Sequence, residues 1–385
     1  MKRKICVITG SRSEYGILYE LIKQIRSDKD LKLSLVVSGM HLLNNFGNTL
    51  NFIKKDGFSI DYLVPMEHKT KDLNAGMALS VSSGITGFVK AFLIIKPDCV
   101  VVLGDRTEAL SAAIAASFMN IPVAHIHGGD NARAGLDEMS RGAITKFSHI
   151  HFPATKKSAR RIERLGEAKW RIFQVGSPAI DYLMNYKYFD KTKLFEKYGL
   201  TPSKPLILVV QHPVTTENEL AANQISETLN ALAELGQQTI LIYPNSDAGG
   251  QTMIKVIKKR LPKMPFVKAF MSLPHSEYLS FMKYASVMVG NSSSGIIEAP
   301  FFQLPAVNIG LRQEGRERAT NIIDVHHKKE EILKGIYTAL GKKFRAKLSK
   351  CTSPYGDGHA SERIIRILKK IDLTKKMLQK KMMEE

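Results

Sequence analysis

The most constraining feature of this sequence is an alternation that runs through it twice. Short β-rich apolar runs at residues 5–9, 31–38, 62–66, 99–104, 123–127 and 149–153 alternate with helix-like segments, and most end in a turn residue. Strands that are apolar on both faces and separated by helices belong to a parallel sheet covered on both sides. The pattern restarts at residues 206–211 and continues through 239–243, 266–270, 287–290 and 306–309. The expected architecture is α/β, with two doubly wound, Rossmann-like domains over 1–175 and 176–357. They join near Val175-Gly176-Ser177-Pro178, and a last helix over 358–385 follows. Two such domains facing each other would form a central cleft beside the carboxyl ends of their strands, where open α/β sheets take ligands.

A length of 385 residues fits two domains. No apolar run is read as approaching the roughly 20 residues of a membrane span. Met1-Lys2-Arg3-Lys4 resembles the start of a secretion signal, but the apolar stretch behind it is too short. A cytoplasmic protein with no membrane partner is expected. Cys6, Cys99 and Cys351 are scattered, which suits free thiols better than a disulfide or a metal site. The net charge of +20 raises nucleic acid as a partner. That charge is spread along the chain, densest at 369–381, with neither zinc-finger spacing nor an RNA-binding aromatic motif. The expectation is therefore no nucleic acid and an anionic small-molecule substrate.

Chemistry-bearing residues gather at the ends of the runs. Thr9-Gly10-Ser11-Arg12 is a glycine turn feeding a helix, offering backbone N–H groups and a guanidinium to an anion. It matches neither a dinucleotide fingerprint nor a Walker A loop. Gly104-Asp105-Arg106-Thr107 places a carboxylate at a strand end, as a reacting group or as a helix cap. His125-Ile126-His127-Gly128-Gly129-Asp130 follows the next strand. Period-two alternation would put both histidines on one face, and His-x-His invites a metal reading that needs a third ligand. Asp137-Glu138-x-x-Arg141 then opens a helix. Asp105, His127, Asp130 and Asp137 are thus candidate acids and bases at one sheet end.

In the second half, Gln211-His212-Pro213 ends a strand, and His212 joins the candidate acid/base set. Asn291-Ser292-Ser293-Ser294-Gly295 ends another and enters a helix, a suitable cradle for a diphosphate. Glu298 lies one turn on, placed to accept from a ribose diol.

Taken together, these segments resemble the hydrolysing UDP-N-acetylglucosamine 2-epimerases of bacterial sialic acid and legionaminic acid biosynthesis. The resemblance runs nearly the full length. It adds Ser38-Gly39-Met40-His41, Ala143-Ile144-Thr145-Lys146, Asn308-Ile309-Gly310-x-Arg312-Gln313 and Ser353-Pro354-Tyr355-Gly356-Asp357-Gly358 to the motifs above. It implies a GT-B arrangement with UDP held mainly by the second domain, a final helix crossing back onto the first, no cofactor, and a homodimer or homotetramer. It also implies substrate contacts from Gly10, Arg12, His41, Glu138, Arg141, Asn245, Ser292, Ser293, Ser294, Gly295, Glu298 and Arg312. Two positions depart from relatives: many carry Glu where His127 stands, and His where Gly142 stands.

The implied reaction eliminates UDP from the anomeric carbon to leave a glycal, then adds water with inversion at C2. It needs cations and helix ends for the departing diphosphate, a base on one face and an acid on the other. UDP-N-acetylglucosamine is the expected substrate. The alternatives are UDP-2,4-diacetamido-2,4,6-trideoxyglucose, a GDP-linked sugar, a GT-B glycosyltransferase, and a non-catalytic sensor or nucleic-acid binder.

Overall fold

The computed structural model describes residues 2–43, 49–68, 73–131, 136–245 and 249–381, and of Leu73, Asn74, Leu136, Asp137 and Thr215 the backbone alone. The described residues form twelve strands in two sheets. The first sheet contains β1 (Arg3–Thr9), β2 (Leu31–Ser38), β3 (Tyr62–Val64), β4 (Cys99–Leu103), β5 (Val123–Ile126) and β6 (Ile150–Phe152) in the order β3-β2-β1-β4-β5-β6. The second contains β7 (Ile207–Val210), β8 (Thr239–Ile242), β9 (Val267–Phe270), β10 (Val287–Gly290), β11 (Ala306–Ile309) and β12 (Ile322–Val325) in the order β12-β11-β10-β7-β8-β9. Every pairing is parallel. Both orders reverse direction once, between β1 and β4 and between β7 and β10. These are the topological switch points at which such sheets bind ligands.

Alternation along β1 shows why its strands read as continuous apolar runs. Ile5 and Val7 pack with Leu18, Leu21, Ile22 and Ile25 of the helix Arg12–Ser27. Cys6 and Ile8 point the other way, to Phe88, Phe92, Ala112 and Ala116. Successive side chains of a strand face opposite sides, so a strand between two helical layers must be apolar at every position. The second sheet has its own core, which includes Ile207, Val209, Leu229, Leu232, Val289, Val307 and Ile336.

The chain divides into two units. One comprises Met1–Asp130, Leu136–Met184 and Tyr355–Glu385, the other Asn131–Gly135 and Asn185–Pro354. The first therefore runs past 175, through the helix Pro178–Asn185 as far as Met184. Asp181 ties it in by accepting backbone N–H bonds from Ala360, at 2.9 Å, and Ser361 at the start of the helix Ala360–Lys370.

Two readings of the sequence need correction. β12 was missed: it is an edge strand interrupted by Asp324, with no fully buried residue to mark it. The helix Leu73–Ile95 is long and apolar enough over Ala75–Ile95 to pass the length and composition test for a membrane span, contrary to the expectation of no such run. Its glycines, its serines and Thr86 disguise a stretch whose only charge is Lys90. Phe88, Ala91, Phe92 and Ile95 bury one face of it in the first unit's core, while Met77, Leu79, Leu93 and Ile94 are exposed.

Candidate active site

In the first unit, β4 ends at Leu103, and the positive φ of 71° at Gly104 turns the chain so that Asp105 leaves the sheet. Asp105 caps nothing: Arg106 is the N-cap of the helix Thr107–Phe118, without a side-chain capping bond. The Asp105 carboxylate instead accepts from Arg141. The Arg141 side chain is 5% exposed, and it also donates to the Asp130 carbonyl at 2.7 Å and to Glu138 at 3.0 Å. One buried guanidinium thus joins Asp130 and Glu138 to Asp105. The side chain of Asp137 lies outside the described residues.

β5 stops at Ile126, and His127 takes a left-handed φ of 62°. Alternation therefore fails here, and the two histidines do not share a face. His125 is wholly buried, with Nε2 2.7 Å from the Gly104 carbonyl and Nδ1 3.2 Å from the Thr145 hydroxyl. Both of its nitrogens are engaged, one with the β4 turn and the other with the helix Leu136–Phe147. His127 Nδ1 lies 2.8 Å from Asp130 Oδ2, and Nε2 lies 2.8 Å from the Ser177 hydroxyl. Asp130 also accepts from Ser158 at 2.8 Å. A carboxylate can only accept, so Nδ1–H donates to Asp130, and Nε2 faces the Ser177 hydroxyl. This orients a histidine for proton transfer in the way an aspartate does in hydrolytic triads. Gly129 is required here: its φ is +71°, and a Cβ would meet the Ser158 carbonyl at 2.3 Å.

The β1 turn is arranged differently from an open anion cradle. Ser11 caps the helix Arg12–Ser27 by accepting from Glu14 N–H, and the Glu14 carboxyl turns back to accept from Gly10 N–H at 2.9 Å. The chain's own carboxyl thus takes a donor that a phosphate would use. Glu108 fills the space beside Gly10 and Gly39, where a Cβ on either would collide with it, and it pairs bidentately with Arg106. Burial pushes Glu14 up to about 7, with Arg106 opposing and Glu108 adding to the shift. His41 is wholly buried between Thr9 (3.1 Å) and Thr49 (2.7 Å), and burial lowers its pKa to about 4. The Arg12 guanidinium stacks over Phe52 at 4.7 Å.

In the second unit, the loops after β7 and β10 are clamped to each other at the switch point. Asn291 accepts from His212 N–H at 2.7 Å and donates to the His212 carbonyl at 2.8 Å. Arg312 (3.2 Å) and Gln313 (2.9 Å) hold the Asn291 carbonyl, and Asn245 N–H donates to His212 Nδ1 at 3.1 Å. Burial, reinforced by Arg312, lowers the His212 pKa to about 3. Gly290 permits the close approach: with φ at 134°, a Cβ would sit 2.1 Å from the Val210 carbonyl. Ser292, Ser293 and Ser294 follow, but the helix they enter, Ser294–Ile297, is one turn long, with Glu298 as its C-cap. A separate 3₁₀ turn, Ala299–Phe302, follows, with Pro300 near its start. A single turn has little macrodipole, so the donors here are hydroxyls and individual N–H groups rather than a helix end. Tyr278, half-buried on the helix His275–Tyr284, lies with its hydroxyl against Ser292 and Ser294, and Glu298 is nearby.

The UDP-N-acetylglucosamine 2-epimerase family profile matches residues 23–369. The UDP-N,N'-diacetylbacillosamine 2-epimerase (hydrolyzing) of Legionella pneumophila is 42% identical over 99% of both chains. The chain belongs to the UDP-N-acetylglucosamine 2-epimerase family. Among other relatives of this family member, the GDP/UDP-N,N'-diacetylbacillosamine 2-epimerase of Campylobacter jejuni is 37% identical over 84% of both chains. The UDP-N-acetylglucosamine 2-epimerase of Neisseria meningitidis is 33% identical over 89% of both. In fold, the epimerase-family chain matches a crystal structure of UDP-GlcNAc 2-epimerase from Neisseria meningitidis bound to UDP-GlcNAc, with a TM-score of 0.83 at 19% identity, covering 95% of this chain and 99% of that one. Its architecture is the GT-B-like one, two parallel six-stranded sheets layered with helices.

Four residues of this family member were missed from sequence. Glu14 had a signal, since Ser11-x-x-Glu14 has capping-box spacing. Ser177 had one also: a serine before Pro178 is a helix start, and its hydroxyl accepts from Ala179 N–H as well as meeting His127. Glu108 and Tyr278 had none, because the packing of Glu108 beside Gly10 and Gly39, and of Tyr278 beside the serine loop, is tertiary.

The buried histidines set a pH dependence for this epimerase-family fold. Burial lowers His41 and His149 to about 4, and His125 and His212 to about 3. An unfolded histidine titrates near ~6.5, so each one contributes stability that is present above that pH and lost as pH falls toward its folded value. Glu14, raised to about 7, acts oppositely, contributing stability below the unfolded carboxyl value that is lost as pH rises through 7. Four groups outweigh one, so the thermal midpoint should fall between pH 6.5 and 4. Calorimetry showing a flat or rising midpoint there would contradict the assignment.

Proposed function

We propose that this chain catalyses hydrolytic 2-epimerisation of a UDP-linked 2-acetamido sugar, releasing UDP and the free 2-epimer. The observation that carries the proposal is the pairing of Asp105 at the β4 end with buried Arg141, beside a His127 oriented by Asp130. In the first half-reaction a base takes the C2 proton, the C2–H electrons form the C1–C2 double bond, and UDP departs with the C1–O electrons. In the second, water adds at C1 and a proton reaches C2 from the opposite face. The sum is substrate plus water to UDP plus 2-epimer, balanced without a nicotinamide or a metal. Asp105, His127, Asp130 and His212 are the proposed proton-handling groups. The loops with Ser292, Ser293, Ser294 and Arg312 are the proposed diphosphate contacts.

UDP-N,N'-diacetylbacillosamine is the favoured substrate, on the strength of the Legionella relative at 42% identity. UDP-N-acetylglucosamine is the second reading, favoured by the 33% identical Neisseria relative. A cytoplasmic setting is in keeping with three cysteines that remain free thiols. The exposed Met77, Leu79, Leu93 and Ile94 favour a homo-oligomer, which sedimentation would reveal. The deciding experiment incubates the protein in heavy water with these two nucleotides and a GDP-linked analogue, without an acceptor. UDP release with one deuterium at C2 of a 2-epimerised free sugar is expected. Release only when an acceptor is supplied would make it a glycosyltransferase instead.

A further inference from the structure

We infer that Lys380 is a positioning residue for the proposed reaction, clamping the far end of the helix that carries Glu138 and Arg141. The inference rests on the role proposed above for Asp105 and Arg141. The helix Leu136–Phe147 holds both residues in its amino-terminal half. Its last carbonyls have no partners within the helix and need a cap. No glycine ends it: the chain runs through Ser148 and His149 directly into β6. Ser148 serves the Ile144 and Thr145 carbonyls through its hydroxyl and N–H, and the Ser117 hydroxyl serves Phe147, while the charged part of the cap arrives from more than 230 residues away. Lys380 Nζ donates to the carbonyls of Lys146 (2.8 Å), Ser148 (2.6 Å) and Thr145 (3.4 Å). An ammonium there also complements the negative end of the helix dipole.

The same ammonium lies 2.8 Å from Glu167, whose carboxylate is 1% exposed and is shared with Lys146 at 3.0 Å and His151 at 3.1 Å. Glu167 therefore bridges the helix, through Lys146, and the C-terminal segment, through Lys380. That segment is fastened independently. Arg171 donates to the carbonyls of Met377 (2.7 Å), Gln379 (3.0 Å) and His149 (3.0 Å), and Met377 is buried in the first unit's core. Lys380 thus stands on a fixed base and grips one end of a short rigid rod. Arg141 lies five residues nearer the other end, about 7.5 Å along the axis. It spans Asp105 and the Asp130 carbonyl, so axial slippage of the helix shifts Arg141 against both. Displacements of about 1 Å in reacting groups can cost on the order of 100-fold in rate.

The test is Lys380→Met in the full-length protein, with Lys381→Met as a neighbouring control and Lys380→Arg as a rescue. Turnover is followed by UDP release, and helix order by amide hydrogen exchange. Lys380→Met should lower kcat about tenfold to 100-fold. KM and UDP affinity should stay within about twofold, and amides of residues 138–147 should exchange at least about tenfold faster. Lys380→Arg should recover most of the rate, and Lys381→Met should behave as wild type. If Lys380→Met does not fold, Lys380→Gln carries the same test without the charge. Unchanged kcat in a folded variant overturns the inference. So does a rate loss matched by an equal loss of UDP affinity, which would mark general destabilisation. Wild-type turnover is the control for the underlying reading. If wild type releases no UDP, that reading fails, while hydrogen exchange still decides whether Lys380 orders the helix.

Discussion

Asp105→Asn should lose about 10²–10⁴-fold in kcat while UDP affinity stays within about twofold. The substitution keeps the size of the side chain and an acceptor for Arg141, but it cannot take a proton. Arg141 retains the Asp130 carbonyl and Glu138 as partners, so the buried guanidinium stays anchored. The helix Thr107–Phe118 does not use Asp105 as a cap, so its start is untouched. Stability should drop only modestly, by ~1–2 kcal/mol for one weakened charge-assisted bond. If Asp105 serves only to neutralise Arg141, the variant will show that stability loss with near-normal kcat well below its melting temperature. Single-turnover UDP release, read beside deuterium incorporation at C2, tells which half-reaction is blocked.

His127→Asn should be equally severe for turnover, again about 10²–10⁴-fold, at a stability cost of only about 1–2 kcal/mol for the lost Ser177 bond. The backbone is the reason for choosing asparagine. His127 sits at φ +62°, a region that Asn tolerates better than most residues. The amide NH₂ takes the place of Nδ1 and can still donate to Asp130, whereas Ser177 loses its Nε2 partner and no imidazole remains to carry a proton. A variant with wild-type kcat would reduce His127 to a structural link between Asp130 and Ser177. A variant that releases UDP and accumulates the glycal would assign His127 to hydration.

The sheet architecture was legible because both faces of every central strand are covered, which forces uninterrupted apolar runs such as Cys99–Leu103. Edge strand β12 escaped because half-exposed Ile322 and Ile323 beside Asp324 look like loop residues. Site loops could be located, since strand ends with Gly, Asp, His and Ser stand out. Their internal wiring could not. Asp105 and Arg141 are 36 residues apart, and only folding makes them a pair. The two histidines of His-x-His were expected on one face because strand alternation was extended one residue too far, past the point where His127 leaves the sheet. The serine loop was read as entering a helix with Glu298 one turn into it, whereas that helix ends at Ile297 and Pro300 already limits it to a short turn.

The first unit draws on both ends of the chain, and this bears on how it is made. Ile364, Ile365, Leu368 and Met377 share a core with Ile5, Leu18, Leu21, Ile22 and Ile25. During synthesis the amino-terminal residues emerge first, yet part of the apolar face of the helix Arg12–Ser27 has no cover until the final segment leaves the ribosome. Loop closure over so long a separation is slow compared with local contacts. In the interval the nascent chain exposes a sticky surface, the condition that recruits chaperones and favours aggregation in larger proteins. The residues 185–354 between them carry their own core and need not wait. The half of the protein that begins translation is thus the half that finishes folding last.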